Sequence, residues 1–206
     1  LHQRGLPYAL IGVCLRRGLL YQSTDRKDCV FVGRDDNGIP RFACRRATQE
    51  NTDWPKLDVP SSDKRFSFCL PAKHPGCTHV AVFESPIDAL SHAALQMIEV
   101  FQWNGCRLSL AGTSEYALVA FLERHPEISY VTLHLDNDCA GLKAAGRIRS
   151  ILHCDQRFQH IRVSIKPPHR GKDYNADLQT RIIEKIRQTN DRQPFDYCPY
   201  RSNKGK

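Results

Sequence analysis

The chain has 206 residues, 41% of them hydrophobic, with a formal net charge of +8 and an isoelectric point near 9.1. That length supports one well-buried core, or a core with a smaller companion unit. No apolar run approaches the roughly 20 residues of a bilayer span, and the start, LHQRGLPYALIG, lacks the regions of a signal peptide. No membrane partner is therefore expected, and a cytoplasmic location is; the basic balance favours an anionic partner, nucleic acid above all.

The chain starts at Leu1, and its single methionine is Met97, so we expect a segment of a longer protein. Pro7 can open a helix with Leu10, Val13 and Cys14 as its apolar stripe, and Gly18 can end it. CVFVGRDDNGIPRFACRRA (29–47) reads as a hairpin, two strand-like runs flanking Asn37-Gly38. Residues 46–66, polar and carrying two prolines without a sustained period, read as a loop and a soft boundary.

Strands and helices then alternate. THVAVFE is a strand, followed by a helix with Ser85 as cap, Pro86 as first residue and Ile87, Leu90, Ala94 and Met97 as buried stripe. CRLSLAG is the next strand, and TSEYALVAFLERH a helix with Ala117, Leu118, Phe121 and Leu122 inward. SYVTLHLD leads to a helix with Leu142, Ala145, Ile148 and Leu152 in register. IRVSIKP is the fourth strand, and a last helix spaces Leu178, Ile182 and Ile186 four apart. Four β–α pairs imply an α/β fold: a mainly parallel four-stranded sheet with helices on both faces. We expect a small α+β subdomain at 1–60, the α/β domain at 61–190, and a basic, loosely ordered tail at 191–206.

Nine cysteines, an odd number with no two separated by only two residues, fit reduced thiols better than a zinc ribbon or a disulfide framework. His74, Cys77 and His79 form a local group, without an evident fourth ligand or a common zinc spacing.

Ligands of open α/β sheets bind beyond the carboxyl ends of the strands. Glu84 ends the first strand, Asp136 and Asp138 the third, and the fourth runs into Arg170, Lys172 and Asp173. Alternate residues of an extended segment point the same way, so Asp136 and Asp138 can face one ion. Clustered carboxylates repel unless a cation sits among them, and hard oxygen donors suit Mg²⁺ or Mn²⁺. Glu84, before a helix N-terminus whose dipole favours its charge, can exchange a proton with a reacting oxygen. Alone, Asp138 reads as a helix cap, Asp88 as a first-turn helix acid, Lys143 and Arg147 as a solvated face, Cys139 as a small packing residue, and Tyr116, Tyr130 and Tyr174 as packing residues. Ala140-Gly141 reads as space for the helix to approach phosphate.

With these motifs in order, the chain resembles a Toprim domain, the metal-binding module of bacterial-type primases, topoisomerases and some nucleases. FESPIDALS stands for the family's E-G-x-x-D-like segment, with Ser85 in place of the glycine; DNDCAG for its D-x-D and x-A-G; GKDYNADL for the late K-D segment of primases. The front part, QRGLPYALIG and the hairpin, is similar to the start of primase cores, and the combination looks most like the primase-like proteins of mobile elements and plasmids. The cysteine-rich zinc module of primases has no counterpart, and no helicase-contact region is recognisable.

The resemblance implies metal-dependent nucleotidyl or phosphoryl transfer. Primer synthesis on single-stranded DNA comes first; a Mg²⁺-dependent nuclease or a non-catalytic binding module of a larger protein are the alternatives. It implies Glu84, Asp136 and Asp138 as catalytic residues and ligands of Mg²⁺ or Mn²⁺. It implies Lys172, Arg170, Asp173, Arg34, Arg41, Arg45, Arg46 and Lys143 on the nucleotide or nucleic-acid side, and a helicase or relaxase region of the same or another chain as partner.

Overall fold

The computed structural model describes residues 1–48, 55–99 and 101–190. A short α-helix, α1 (Tyr8–Arg16), leads into a four-stranded antiparallel sheet in the order β1 (Leu20–Gln22), β2 (Cys29–Arg34), β3 (Pro40–Arg46), β4 (Lys56–Asp58). Beyond it comes a five-stranded sheet in the order β5-β7-β6-β8-β9: β5 (Cys69–Leu70), β6 (His79–Phe83), β7 (Cys106–Ser109), β8 (Tyr130–Leu133), β9 (Arg162–Ile165). Four strands run parallel, and β5 pairs antiparallel with β7 at the edge. The helices are α2 (Pro86–Glu99), α3 (Tyr116–Arg124), α4 (Cys139–Cys154) and α5 (Tyr174–Asn190).

The expected α/β architecture is present. The hairpin is β2–β3, but its loop spans residues 35–39 rather than two residues. Asp35 sets it: its Oδ1 accepts from Asn37 N (3.0 Å) and Ile39 N (2.9 Å), and Gly38 takes φ 77. Three short strands escaped the pattern. β1 and β5 are too short for a period, and β4 lies inside the stretch read as loop, where pairing with β3 rather than alternation makes the strand. Residues 49–54 of that stretch and the tail from 191 lie outside the described residues.

From Val80 to Phe83 the central strand β6 is continuously apolar because both its faces are covered, as expected of a parallel strand. Ala81 and Phe83 face one core cluster with α2, the front sheet and Leu178 of α5; Val80 and Val82 face a second with α3 and α4. One core thus joins the front sheet to the parallel sheet. Helix α2, between sheet and front unit, is buried at every position from Pro86 to Leu95, so a single stripe describes it poorly. The expected inward positions Met97, Leu142 and Ile186 are exposed, at 56%, 46% and 55%. Cys139 is also exposed rather than packed. No helix among the described residues is long and apolar enough to cross a membrane.

Candidate metal and nucleic-acid site

The chain leaves β6 for β7 on one side and returns to β8 on the other. The helices after β6 and β8 pack on opposite faces, which opens a crevice at the carboxyl ends of these two strands. Glu84 follows β6, and Asp136 and Asp138 follow β8. Glu84 Oε1 accepts a hydrogen bond from Asp136 N (3.1 Å), which ties the two strand ends together. Asp138 caps α4, its Oδ1 accepting from Gly141 N (2.9 Å), and its Oδ2 is 3.1 Å from Lys172 Nζ. Asn137 N donates to Lys172 O (2.7 Å), so the loop after β9 is fastened to the aspartate loop.

Gly141 makes room for the carboxylates: a Cβ there would sit 2.2 Å from Asp136 O and 2.8 Å from Glu84 Oε1. Its space therefore serves the acidic residues.

The charge states differ among the three acids. Burial raises the Glu84 carboxyl above its usual range, with Asp138 and Asp88 adding repulsion against the bond from Asp136 N–H. The expected dipole benefit is outweighed. Burial, then the Glu84 and Asp173 charges, push Asp136 up to about 6. Asp138 is held low by the Gly141 N–H and by Lys172.

The donors are all carboxylate oxygens, the chemistry a hard divalent ion takes, and Glu84 and Asp136 carry the mutual repulsion that such an ion relieves. In this arrangement Lys172 supplies the positive charge beside Asp138. Among the described residues no three His, Cys, Asp or Glu side chains are gathered closely enough to hold an ion. That holds for His74, Cys77 and His79 as well.

A second set of acids and cations lies beside the first. Asp88 is 6% exposed; Ser85 Oγ donates to its Oδ2 (2.5 Å) and Asn175 N to its Oδ1 (3.3 Å). Asn175 Nδ2 in turn donates to Arg4 O (2.9 Å) and Ser91 Oγ (3.0 Å). Burial pushes Asp88 up to about 6, with the Asp173 and Asp136 charges adding to it. Asp88 is thus a buried pin between α2, α5 and the front segment, not a plain first-turn acid. A small cavity beside it has Arg4, Arg45, Arg46, Lys56, Asp88 and Asp173 among its lining residues.

The remaining sequence-derived residues divide. Arg46 and Arg45 both line this cavity. Arg34 is spent on Gly18 O and Gly38 O, Arg45 on Asp28 and Asp25, and Arg41 on Asp35. Arg170 pairs with Glu184 on α5. Asp173 caps α5 through Ala176 N (2.7 Å). Lys143 is exposed on α4, while Arg147 donates to Thr113 O (2.7 Å). Sequence reasoning missed Arg4, Lys56 and Asn175. Only the Asp88 position of the E-x-x-x-D segment offered a signal, because the others come together through the front sheet.

Residues 81–178 match the family described as Toprim-like, and the chain accordingly carries a Toprim-like domain. Residues 1–74 match a family described as a protein of unknown function, DUF3991. About nine tenths of the chain shares the fold of bacterial and phage primase catalytic cores. It is similar to the primase fragment of the bacteriophage T7 primase-helicase protein (18% identity, TM-score 0.58, covering 90% of this chain and 72% of that one). It is similar to a DNA primase domain from Pseudomonas aeruginosa (21%, 0.54, 89% and 59%). It is also similar to the DnaG primase catalytic domain bound to ssDNA (17%, 0.57, 92% and 69%). No curated protein matches the chain.

Proposed function

We propose that the chain is the catalytic core of a primase-type nucleotidyltransferase, making primers on a single-stranded DNA template with Mg²⁺ or Mn²⁺. The observation that carries this reading is that Glu84, Asp136 and Asp138 follow the adjacent carboxyl ends of β6 and β8, with Glu84 bonded to Asp136 N, Asp138 to Lys172, and Arg4, Arg46 and Lys56 beside them on the front unit. The fold shared with a primase domain bound to ssDNA supports it.

In this reading Asp136 and Asp138 hold the ion and Glu84 completes the set or moves a proton. A divalent ion bound there would neutralise charge on the transferring phosphate and orient it. Asp138 enters ionised, and Lys172, now paired with it, becomes free to meet a phosphate oxygen when that pair opens. Burial and neighbouring negative charge raise the Glu84 and Asp136 carboxyls, and a cation in the crevice would favour their ionised forms. Arg4, Arg46 and Lys56 receive template or nucleotide phosphates, giving affinity that is independent of sequence and dependent on salt. The division at residue 60 into a front unit and a Toprim unit, and a helicase or relaxase region as partner, belong to the same proposal.

The test is template-directed incorporation of labelled nucleotides with Mg²⁺ or Mn²⁺, comparing the wild type with Asp136→Asn. Divalent-dependent product that falls at least about 100-fold in the variant is expected. Nicking of the template without primer synthesis would instead make the same site a nuclease, and DNA binding with neither activity would make the chain a binding module.

A further inference from the structure

Three half-buried cysteines meet at the opposite, amino-terminal end of the parallel sheet, and no part of the proposed reaction uses them. Cys69 lies on β5, Cys106 opens β7, and Cys77 lies in the segment that leads into β6. All three pack against the α3–α4 core cluster. Cys69 sits opposite Leu108 in the β5–β7 pair, and Cys106, two residues before Leu108, is its diagonal neighbour on the same face. Cys77 Sγ is 3.5 Å from Cys106 Sγ. Cys69 and Cys106 also line a cavity of about 380 Å³. Its walls carry Arg17, Arg34, Arg124 and His125 against Asp35 and Asp36. Arg34 is committed to backbone carbonyls, and Arg124 lies over the Phe66 ring (4.5 Å).

We propose that Cys77 and Cys106 are a reversible dithiol–disulfide pair, with Cys106 the attacking sulfur and the adjacent cation-lined cavity the entry for an anionic low-molecular-weight disulfide. Cys106 is held below the ordinary thiol range chiefly by the Cys69 thiol, then by the Ala72 N–H and the Cys77 thiol, with His125 assisting. The contrast with the deep-core thiols is clear: burial pushes Cys14 up to about 11 and Cys44 up to about 12. A thiolate that is accessible and supported by hydrogen bonds reacts, whereas a buried apolar thiol does not.

The chemistry balances in two exchanges. The Cys106 thiolate attacks one sulfur of the small disulfide, forming a protein mixed disulfide and releasing one small thiolate. Cys77 then loses its proton to solvent and attacks the Cys106 sulfur. The second small thiolate leaves, and the Cys77–Cys106 bond forms. Two protein thiols are oxidised and one small disulfide is reduced to two thiols. The bond would staple the segment between β5 and β6 to the start of β7, remote from Glu84 and Asp136.

The test uses the full chain and oxidised glutathione, followed by peptide mass mapping and reversal with dithiothreitol. A crosslinked Cys77–Cys106 peptide is expected in the wild type. With Cys69 also replaced by serine, Cys77→Ser should stop at glutathione on Cys106, and Cys106→Ser should form neither product. Should either variant fail to fold, alkylation of the wild type by limiting iodoacetamide gives an independent answer, with Cys106 expected to react before the exposed Cys139 and Cys154. Glutathione and iodoacetamide found first on Cys139 and Cys154, with Cys106 untouched, would overturn the proposal.

Discussion

Replacing Gly141 by alanine sets two physical effects against each other. Alanine is the better helix former, by about 1 kcal/mol in a helix interior. At Gly141, however, the added Cβ meets Asp136 O at 2.2 Å, Asp136 C at 2.9 Å and Glu84 Oε1 at 2.8 Å. The nearest atom is backbone, so relief requires the start of α4 and the aspartate loop to separate by about 1 Å, the kind of overpacking that costs about 1–3 kcal/mol. Gly146 is in the same helix, and a Cβ there meets nothing within 4 Å. Gly146→Ala should therefore stabilise by about 0.5–1 kcal/mol, while Gly141→Ala should destabilise by about 0–2 kcal/mol once its propensity gain is subtracted. Urea unfolding of the two variants, read by circular dichroism, measures both. Equal stabilisation by both substitutions would refute the view that Gly141 exists to let α4 approach Glu84 and Asp136.

Asp88 has a folded-state pKa of about 6, above its ordinary 3.8. Its stabilising effect is therefore full below the ordinary value and is lost as pH rises toward 6; Asp88→Asn should remove this dependence and gain on the wild type by on the order of 3 kcal/mol between about pH 4 and pH 7, as read by denaturation across that range. A constant difference across that range would show that Asp88 titrates normally. Phe83→Ala, at a fully buried position stacked on His134 (centroids 5.2 Å), should cost about 3–5 kcal/mol in the same unfolding assay. Arg46→Ala should weaken single-stranded DNA binding about equally for unrelated sequences and reduce the slope of log affinity against log salt by about 0.7, measured by fluorescence anisotropy.

The parallel sheet and its helices were legible because the strands are short and largely apolar, and several are followed by a good cap. Ser85-Pro86 and Asp138 mark their helix starts in sequence and do so in space. The acidic residues were legible for the same reason, since strand ends can be read once strands can. The basic side was not. Arg34, Arg41 and Arg45 looked like nucleic-acid contacts beside Arg46, but each has a neighbour in the front sheet that claims its guanidinium. Sequence shows the charge of an arginine and not its partner. Arg4 and Lys56 reach the crevice only because β4 pairs with β3 and Asn175 holds the first segment against α2 and α5. Nothing local announces either contact. Helix α2 likewise carries an amphipathic pattern yet is buried on every side from Pro86 to Leu95, because the front unit packs on the side that would otherwise face water.

Divalent-ion binding tests the central claim most directly. Calorimetric titration of Mg²⁺ and Mn²⁺ into the wild type and Asp138→Asn makes the comparison, the asparagine retaining an oxygen to cap Gly141 N and so preserving the start of α4. Saturable binding in the wild type, weakened at least about tenfold in the variant, is predicted. No binding in the wild type, or the same affinity in both, would contradict the assignment of Glu84, Asp136 and Asp138 as a metal site.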